Sequence, residues 1–144
     1  MERTYVNPHS FTKILGNYSH CIKVDIGDAS LIFISGQIAL DAGGNPVSED
    51  IEDQTRFVFE NLKELLSMCH SSLDDVVKVQ IFLTDIKDYA KVSNIRNQYF
   101  SGSRPASTLV EVSSLVNKAC KIEVEAVAVA GAGRAGTHTT WPSS

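Results

Sequence analysis

The sequence predicts an α+β fold, a mixed β-sheet with two helices on one face, and three observations carry that expectation. Helical periodicity over residues 51–69, and cap and stop signals for a second helix through about Phe100, flank a β-branched run from Val76 to Leu83. Alternating, strand-like segments lie before and after them, at 20–26, 31–37, 104–113 and 119–130. A helix between two parallel strands returns across the sheet by a right-handed crossover, so helices divided by one strand cover the same side.

The first 17 residues are polar and hold Pro8 and Gly16, which predicts an irregular lead-in. His20, Ile22 and Val24 alternate with Cys21, Lys23 and Asp25, and Gly27-Asp28 turns this strand into a second one, Leu31-Ile32-Phe33-Ile34-Ser35-Gly36-Gln37. Gly36 marks either a bulge or a place where another group approaches the backbone. A short strand at Ile38-Ala39-Leu40 and a loop over 41–46 follow. Asp50 or Ser48 can cap the first helix, which gathers Ile51, Thr55, Val58, Leu62, Leu65, Leu66 and Cys69 on one face and leaves Arg56, Glu60, Lys63 and Glu64 to solvent. Val77, Val79, Ile81 and Leu83 form the apolar row of a central strand. Thr84 or Asp85 can cap the second helix, and Gly102 can end it.

The last two strands have two chemically different faces. Along Arg104-Pro105-Ala106-Ser107-Thr108-Leu109-Val110-Glu111-Val112, the row Thr108, Val110 and Val112 reads as core, and Ser107, Leu109 and Glu111 point the other way. Between Lys121 and Val129, the row Ile122, Val124, Ala126 and Ala128 is apolar, while Glu123 and Glu125 share the opposite row with Val127 and Val129. The face without helices therefore gathers Lys78, Gln80, Phe82, Ser107, Leu109, Glu111, Glu123 and Glu125. Self-association across that face would explain its mixture of carboxylates and hydrophobics. A wet sheet face is the plainer alternative.

With 144 residues, 43% of them hydrophobic, the chain suits a single domain over 1–130 with a tail over 131–144, where glycine and alanine give linker composition and Trp141 is the one anchor. A net charge of −4 with no cluster of Lys and Arg argues against a nucleic-acid partner. No apolar leader or membrane-length run is present, which predicts no membrane partner and a cytoplasmic protein. Cys21, Cys69 and Cys120 fall in no metal-ligand spacing and read as reduced thiols, and the four histidines are scattered, so neither a metal nor a cofactor is expected.

Several stretches together resemble the Rid family, the YjgF-type reactive intermediate deaminases, across about residues 12–130. Gly16-Asn17-Tyr18-Ser19 is similar to that family's G-P-Y-S loop, and Ile34-Ser35-Gly36-Gln37-Ile38 to its S-G-Q-I strand. Gln54 through Asn61-Leu62, Asp75-Val76-Val77-Lys78, Pro105-Ala106-Ser107, Val110-Glu111-Val112 and Ile122-Glu123-Val124-Glu125-Ala126 extend the likeness. The resemblance implies a chorismate-mutase-like (YjgF/RidA) fold and a homotrimer with small-molecule clefts between adjacent subunits. It also implies hydrolysis of enamines and imines, such as 2-aminoacrylate, to a 2-keto acid and ammonia, without a cofactor.

By the same resemblance Tyr18 is the cleft tyrosine and Glu123 the glutamate that positions water, with Ser35 and Gly36 at the binding strand. Two family residues are replaced. The arginine that grips the substrate carboxylate falls on Ser107, and a cysteine falls on Leu109. An asparagine early in the second helix falls on Ser93, with Asn94 adjacent. Losing a doubly hydrogen-bonding cation removes a contact of roughly 1.5–3 kcal/mol, so a standard 2-aminoacrylate deaminase is not expected. Arg104, at the mouth of the strand, or Arg96, on the second helix, can supply the charge from another direction. His20, beside Tyr18, is either a general acid or base or a hydrogen-bonded structural residue. The expected function is an imine or enamine hydrolase. A metabolite- or partner-binding trimer is the alternative, and a nuclease or translation inhibitor is the weakest reading because no metal cluster or basic stripe supports it.

Overall fold

A computed structural model describes residues 1–131. Apart from Gly131, the expected tail and its Trp141 lie outside the described residues. Six strands, β1 (Glu2–Val6), β2 (Cys21–Ile26), β3 (Ala29–Ile38), β4 (Val76–Leu83), β5 (Ala106–Glu111) and β6 (Ile122–Gly131), form one sheet in the order β1-β2-β3-β6-β4-β5, in which β4 and β5 are parallel and the other neighbours antiparallel.

The lead-in is not irregular throughout: Glu2–Val6 forms β1, paired antiparallel with β2, Cys21–Ile26. Its first four residues are exposed, so pairing with a neighbour rather than burial of an apolar face makes it a strand. Gly27, at φ 59°, turns β2 into β3, Ala29–Ile38, because this left-handed conformation is open to glycine without a side-chain clash. The short third strand expected at 38–40 is the end of β3 plus one bridge from Leu40 to Pro46.

Helix α1, Ile51–Met68, starts at Asp50, whose carboxylate accepts from the Asp53 N–H at 3.0 Å. The predicted apolar row is buried, and Gln54 and Phe59 join it. Gln54 is wholly enclosed and hydrogen-bonded: its Nε2 donates to the carbonyls of Ser48 and Ala119, both at 2.9 Å, and its Oε1 accepts from the Lys121 N–H at 2.8 Å. One amide thus fixes the helix to the segment that enters β6. His70 closes the helix at φ 57°, letting the Ser71 N–H reach the Leu66 carbonyl at 2.9 Å.

Strand β4, Val76–Leu83, buries Val79, Ile81 and Leu83 beneath the helices, but Val77 is exposed and Val76 takes its place inside. The register between β4 and β6 slips between Val76 and Lys78, which shifts the alternation at that end. Helix α2 is shorter than expected, Tyr89–Tyr99, because Asp85 caps a 3-10 turn, Ile86–Asp88, that precedes it. Glu111 accepts from the Ile86 N–H at 2.8 Å at the start of that turn.

Strand β5, Ala106–Glu111, presents its faces opposite to the expectation. Ser107, Leu109 and Glu111 pair with the buried Val79, Ile81 and Leu83, so they lie on the helix side. Thr108 and Val110 pair with Gln80 and Phe82 on the open side, and Lys78 Nζ donates to Thr108 Oγ1 at 2.8 Å. As an edge strand at the rim of the helical cover, β5 has little burial to set its alternation, and only Leu109 packs on the core. Strand β6, Ile122–Gly131, follows prediction: Ile122, Val124, Ala126 and Ala128 are buried, and Glu123 and Glu125 face the open side. Phe33 and Val129 are exposed on that open side at 45% and 39%. Among the described residues, no helix is long and apolar enough to cross a membrane.

Candidate functional site

Strands β3 and β6 pair regularly as far as Ile34↔Ala126 and resume at Gln37↔Val124, so Ser35 and Gly36 form a bulge opposite Glu125. Glu123 lies against it. A Cβ on Gly36 would stand 2.7 Å from the Glu123 Cδ, so the carboxyl occupies space that any other residue at 36 would fill. Burial pushes the Glu123 carboxyl above the usual carboxylate range, and the charge of Glu125 two residues along the same face adds to the shift. Such a group holds or accepts a proton nearer neutrality than an exposed glutamate does.

The bulge also anchors the loop that carries Tyr18. Ser35 Oγ donates to the Ser19 carbonyl at 2.6 Å, and the Ser35 N–H donates to the His20 carbonyl at 2.9 Å. Tyr18 itself is 59% exposed, its ring folded over Gly16, where a Cβ would meet it at 3.2 Å. Tyr18 and Ser35 line a cleft of about 590 Å³ on the open face, together with Lys78, Gln80 and Glu125. Glu123 and Gly36 sit beside this cleft rather than in its lining.

His20 is buried; it lines neither this cleft nor the helix-side one below, but a third cleft of about 560 Å³ beside the lead-in segment, which it shares with Phe11, Thr12 and Tyr18. Its Nε2–H donates to the Thr12 carbonyl at 2.8 Å, which leaves Nδ1 to accept from Gln37 Nε2 at 3.3 Å. The edge of the Phe11 ring packs on it at 5.3 Å. Gln37 donates to the Ser35 carbonyl at 3.0 Å as well, and its Oε1 accepts from Asn61 of α1 at 3.4 Å. The chain Asn61–Gln37–His20 therefore ties the helix to the bulge and to the Tyr18 loop. Gln37 and Asn61 stand inside the stretches that carry the family resemblance, but an amide side chain does not by its type declare a site.

A second cleft, of about 500 Å³, opens on the helix side between the end of α2, the loop 101–105 and the start of β5. Ser107 faces it beside Val79, and Arg96 and Arg104 both line it. Arg104 precedes the strand, which begins at Ala106, so strand alternation does not govern it, and it is among the residues lining the cleft. Arg96 is held in place by its own helix: Nη2 donates to Ser93 Oγ at 2.8 Å, and Nε and Nη2 both donate to Asn97 Oδ1 at 3.3 Å. Ser93 thus touches the cleft through Arg96. Asn94 is exposed on the far side of α2 and Leu109 packs on the core, and neither lines a cleft in the single chain. Among the described residues, no group of three or more His, Cys, Asp or Glu could hold a metal ion.

A mixed sheet backed by two helices, with a bulged strand under a half-buried glutamate, defines the YjgF/RidA class of α+β protein. The chain belongs to the family described as Endoribonuclease L-PSP, whose profile matches residues 10–130. A RutC family protein of Pyrococcus abyssi is 44% identical over 117 residues, covering 81% of this chain and 88% of the relative. TdcF of Escherichia coli K12, named as a candidate reactive intermediate deaminase, is 34% identical over 112 residues, covering 76% and 84% respectively. The crystal structure of E. coli TdcF with bound serine matches with a TM-score of 0.77 at 29% identity, over 89% of this chain and 99% of that one.

Proposed function

We propose that this protein hydrolyses a reactive enamine or imine metabolite to the carbonyl compound and ammonia, in clefts completed by neighbouring copies in a homotrimer. The observation that carries the reading is Glu123, a carboxyl withdrawn from water against the Gly36 bulge, with its proton affinity raised. In the reaction, water adds to the imine carbon, Glu123 takes a proton from that water, and the nitrogen leaves as ammonia once the C=O bond forms. The phenol of Tyr18 offers a donor at the cleft mouth and an apolar ring against the substrate. The relative named for reactive intermediate deamination, and its structure with serine bound, support a small amino-acid-derived substrate.

The open-face cleft with Tyr18 and the helix-side cleft with Ser107 lie on opposite sides of the sheet, so within one chain they do not form one site. Apposition of open faces around a threefold axis would bring the edge of one copy to the Tyr18 loop of the next. The three buried thiols suit a reducing compartment, and we place the protein in the cytoplasm. Ser107, in place of a carboxylate-gripping arginine, favours a second reading, binding without turnover.

Generating 2-aminoacrylate and bulkier imino acids in situ, and following their decay with wild type and Glu123→Ala, tests the proposal. Decay accelerated by wild type and lost in the variant is expected. Equal decay with and without protein across the panel would remove the hydrolase reading, and a ligand bound without turnover would establish the second.

A further inference from the structure

We infer that Cys21 and Cys69 form an oxidative modification site, a dithiol that hydrogen peroxide converts to a disulfide locking the start of β2 to the end of α1. The two sulfurs stand 3.7 Å apart, close enough for one thiol to donate to the other, although 48 residues separate them in the chain. A disulfide spans about 2.0 Å, so the sulfurs have about 1.7 Å left to close. Cys21 opens β2, and Cys69 is the residue on which α1 ends. Both belong to the core, at 0% and 2% exposure, so packing holds the two sulfurs together.

Burial and the neighbouring Cys69 thiol push the Cys21 thiol above the usual range, so the closed structure keeps the pair reduced. Access comes from the helix end. Cys69 stands between Met68, 45% exposed, and the exposed His70, whose φ of 57° is rare for a residue other than glycine. Backbone bonds from Cys69, His70 and Ser71 to the carbonyls of Leu66 and Ser67 close this turn, and fraying ends are the first segments of a fold to open. Opening uncovers Cys69 first. Its thiolate attacks one peroxide oxygen, the O–O bond breaks, and the released hydroxide takes up the thiol's proton as water, leaving a sulfenic acid. On reclosure the Cys21 sulfur attacks the Cys69 sulfur, the S–S bond forms, the S–O bond breaks, and the hydroxyl leaves with the Cys21 proton as a second water. Two thiols and one peroxide thus give one disulfide and two waters. The new bond restricts the unfolded chain, which raises stability. It also fixes the residue after His20, whose carbonyl accepts from the Ser35 N–H at 2.9 Å, and so steadies the loop that carries Tyr18.

Cys120 is the internal control, since it is equally buried, at 1%, and has no thiol partner among the described residues. Full-length protein is treated with hydrogen peroxide, in buffer and in urea below the unfolding transition, then quenched, alkylated under denaturing conditions and mapped by mass spectrometry. The expected product is a Cys21–Cys69 cross-link within one chain, with Cys120 still alkylated, formed faster in the urea and reversed by dithiothreitol. Oxidised protein should show a higher urea midpoint than reduced protein and slower amide exchange across residues 16–22. Cys21→Ala and Cys69→Ala, with folding verified by circular dichroism, should each lose the midpoint shift, and Cys120→Ala should keep it. None of these readouts involves turnover, so the outcome is independent of the imine reading. A pair that stays fully alkylated, Cys120 oxidised as fast as the pair, sulfinic or sulfonic acid in place of the cross-link, or a cross-link that leaves the midpoint unchanged or lowered would overturn the inference.

Discussion

The side chain of Glu123 takes the room that Gly36 leaves empty: a methyl group at 36 would stand 2.7 Å from the glutamate Cδ. Gly36→Ala must therefore move the carboxyl or the strand, and we expect a loss of about 1–3 kcal/mol, the usual range for overpacking. Urea denaturation measures it. In a Glu123→Ala background the same substitution should lose most of its effect, because the colliding group is gone. An equal loss in both backgrounds would show that the bulge, not the glutamate, requires glycine.

The raised proton affinity of Glu123 links stability to pH. The folded state holds this proton more tightly than the unfolded state, so across the interval between the two pKa values it binds more protons. This group's contribution to stability therefore falls as pH rises through that interval from the usual glutamate value, and is level above it. Glu123→Gln should gain stability relative to wild type on going from about pH 4 to about pH 7.5. Parallel urea midpoints for the two proteins over that range would contradict this. For turnover, the acid limb of the rate profile should sit above the ordinary glutamate value and vanish in the variant.

Gln54 joins α1 to the approach to β6 through three hydrogen bonds from a fully buried amide. Gln54→Leu keeps the volume but strands two carbonyls and one N–H, and should lower stability by about 2–5 kcal/mol. A shift in the urea midpoint of less than about 1 kcal/mol would mean that water replaces the amide.

Phe33 is 45% exposed in the single chain, on the face that the proposed assembly covers. Phe33→Asp should convert the assembly to single chains in sedimentation velocity with its circular dichroism retained, since a carboxylate cannot enter an apolar seam without a partner. An unchanged sedimentation coefficient would place the seam elsewhere.

Much of the fold was legible because burial writes itself into spacing. The α1 row from Ile51 to Cys69, its Asp50 cap, and the inner row of β6 are where alternation and periodicity put them. Legibility failed where burial is weak. Strand β1 pairs without an apolar face to announce it, and β5 turns Ser107 and Leu109 toward the helices because an edge strand obeys its neighbour's register more than its own pattern. The site was legible only residue by residue. Tyr18, Ser35, Gly36 and Glu123 stand out through their motifs, but that Arg96, Arg104 and Ser107 line one cleft depends on how the end of α2 packs beside β5, which spacing does not encode. His20 was ambiguous in sequence, and the bonds that hold it, from Gln37 on β3 and to the Thr12 carbonyl, join residues that local spacing does not pair with it.

The parallel register that sets Ser107 beside Val79 makes position 107 dependent on its surroundings. An arginine introduced there would enter a cleft already lined by Arg96 and Arg104, and mutual repulsion would offset part of what the new cation contributes. Changing position 107 is thus a compound operation, in which the residues at 96, 104 and 107 have to change together.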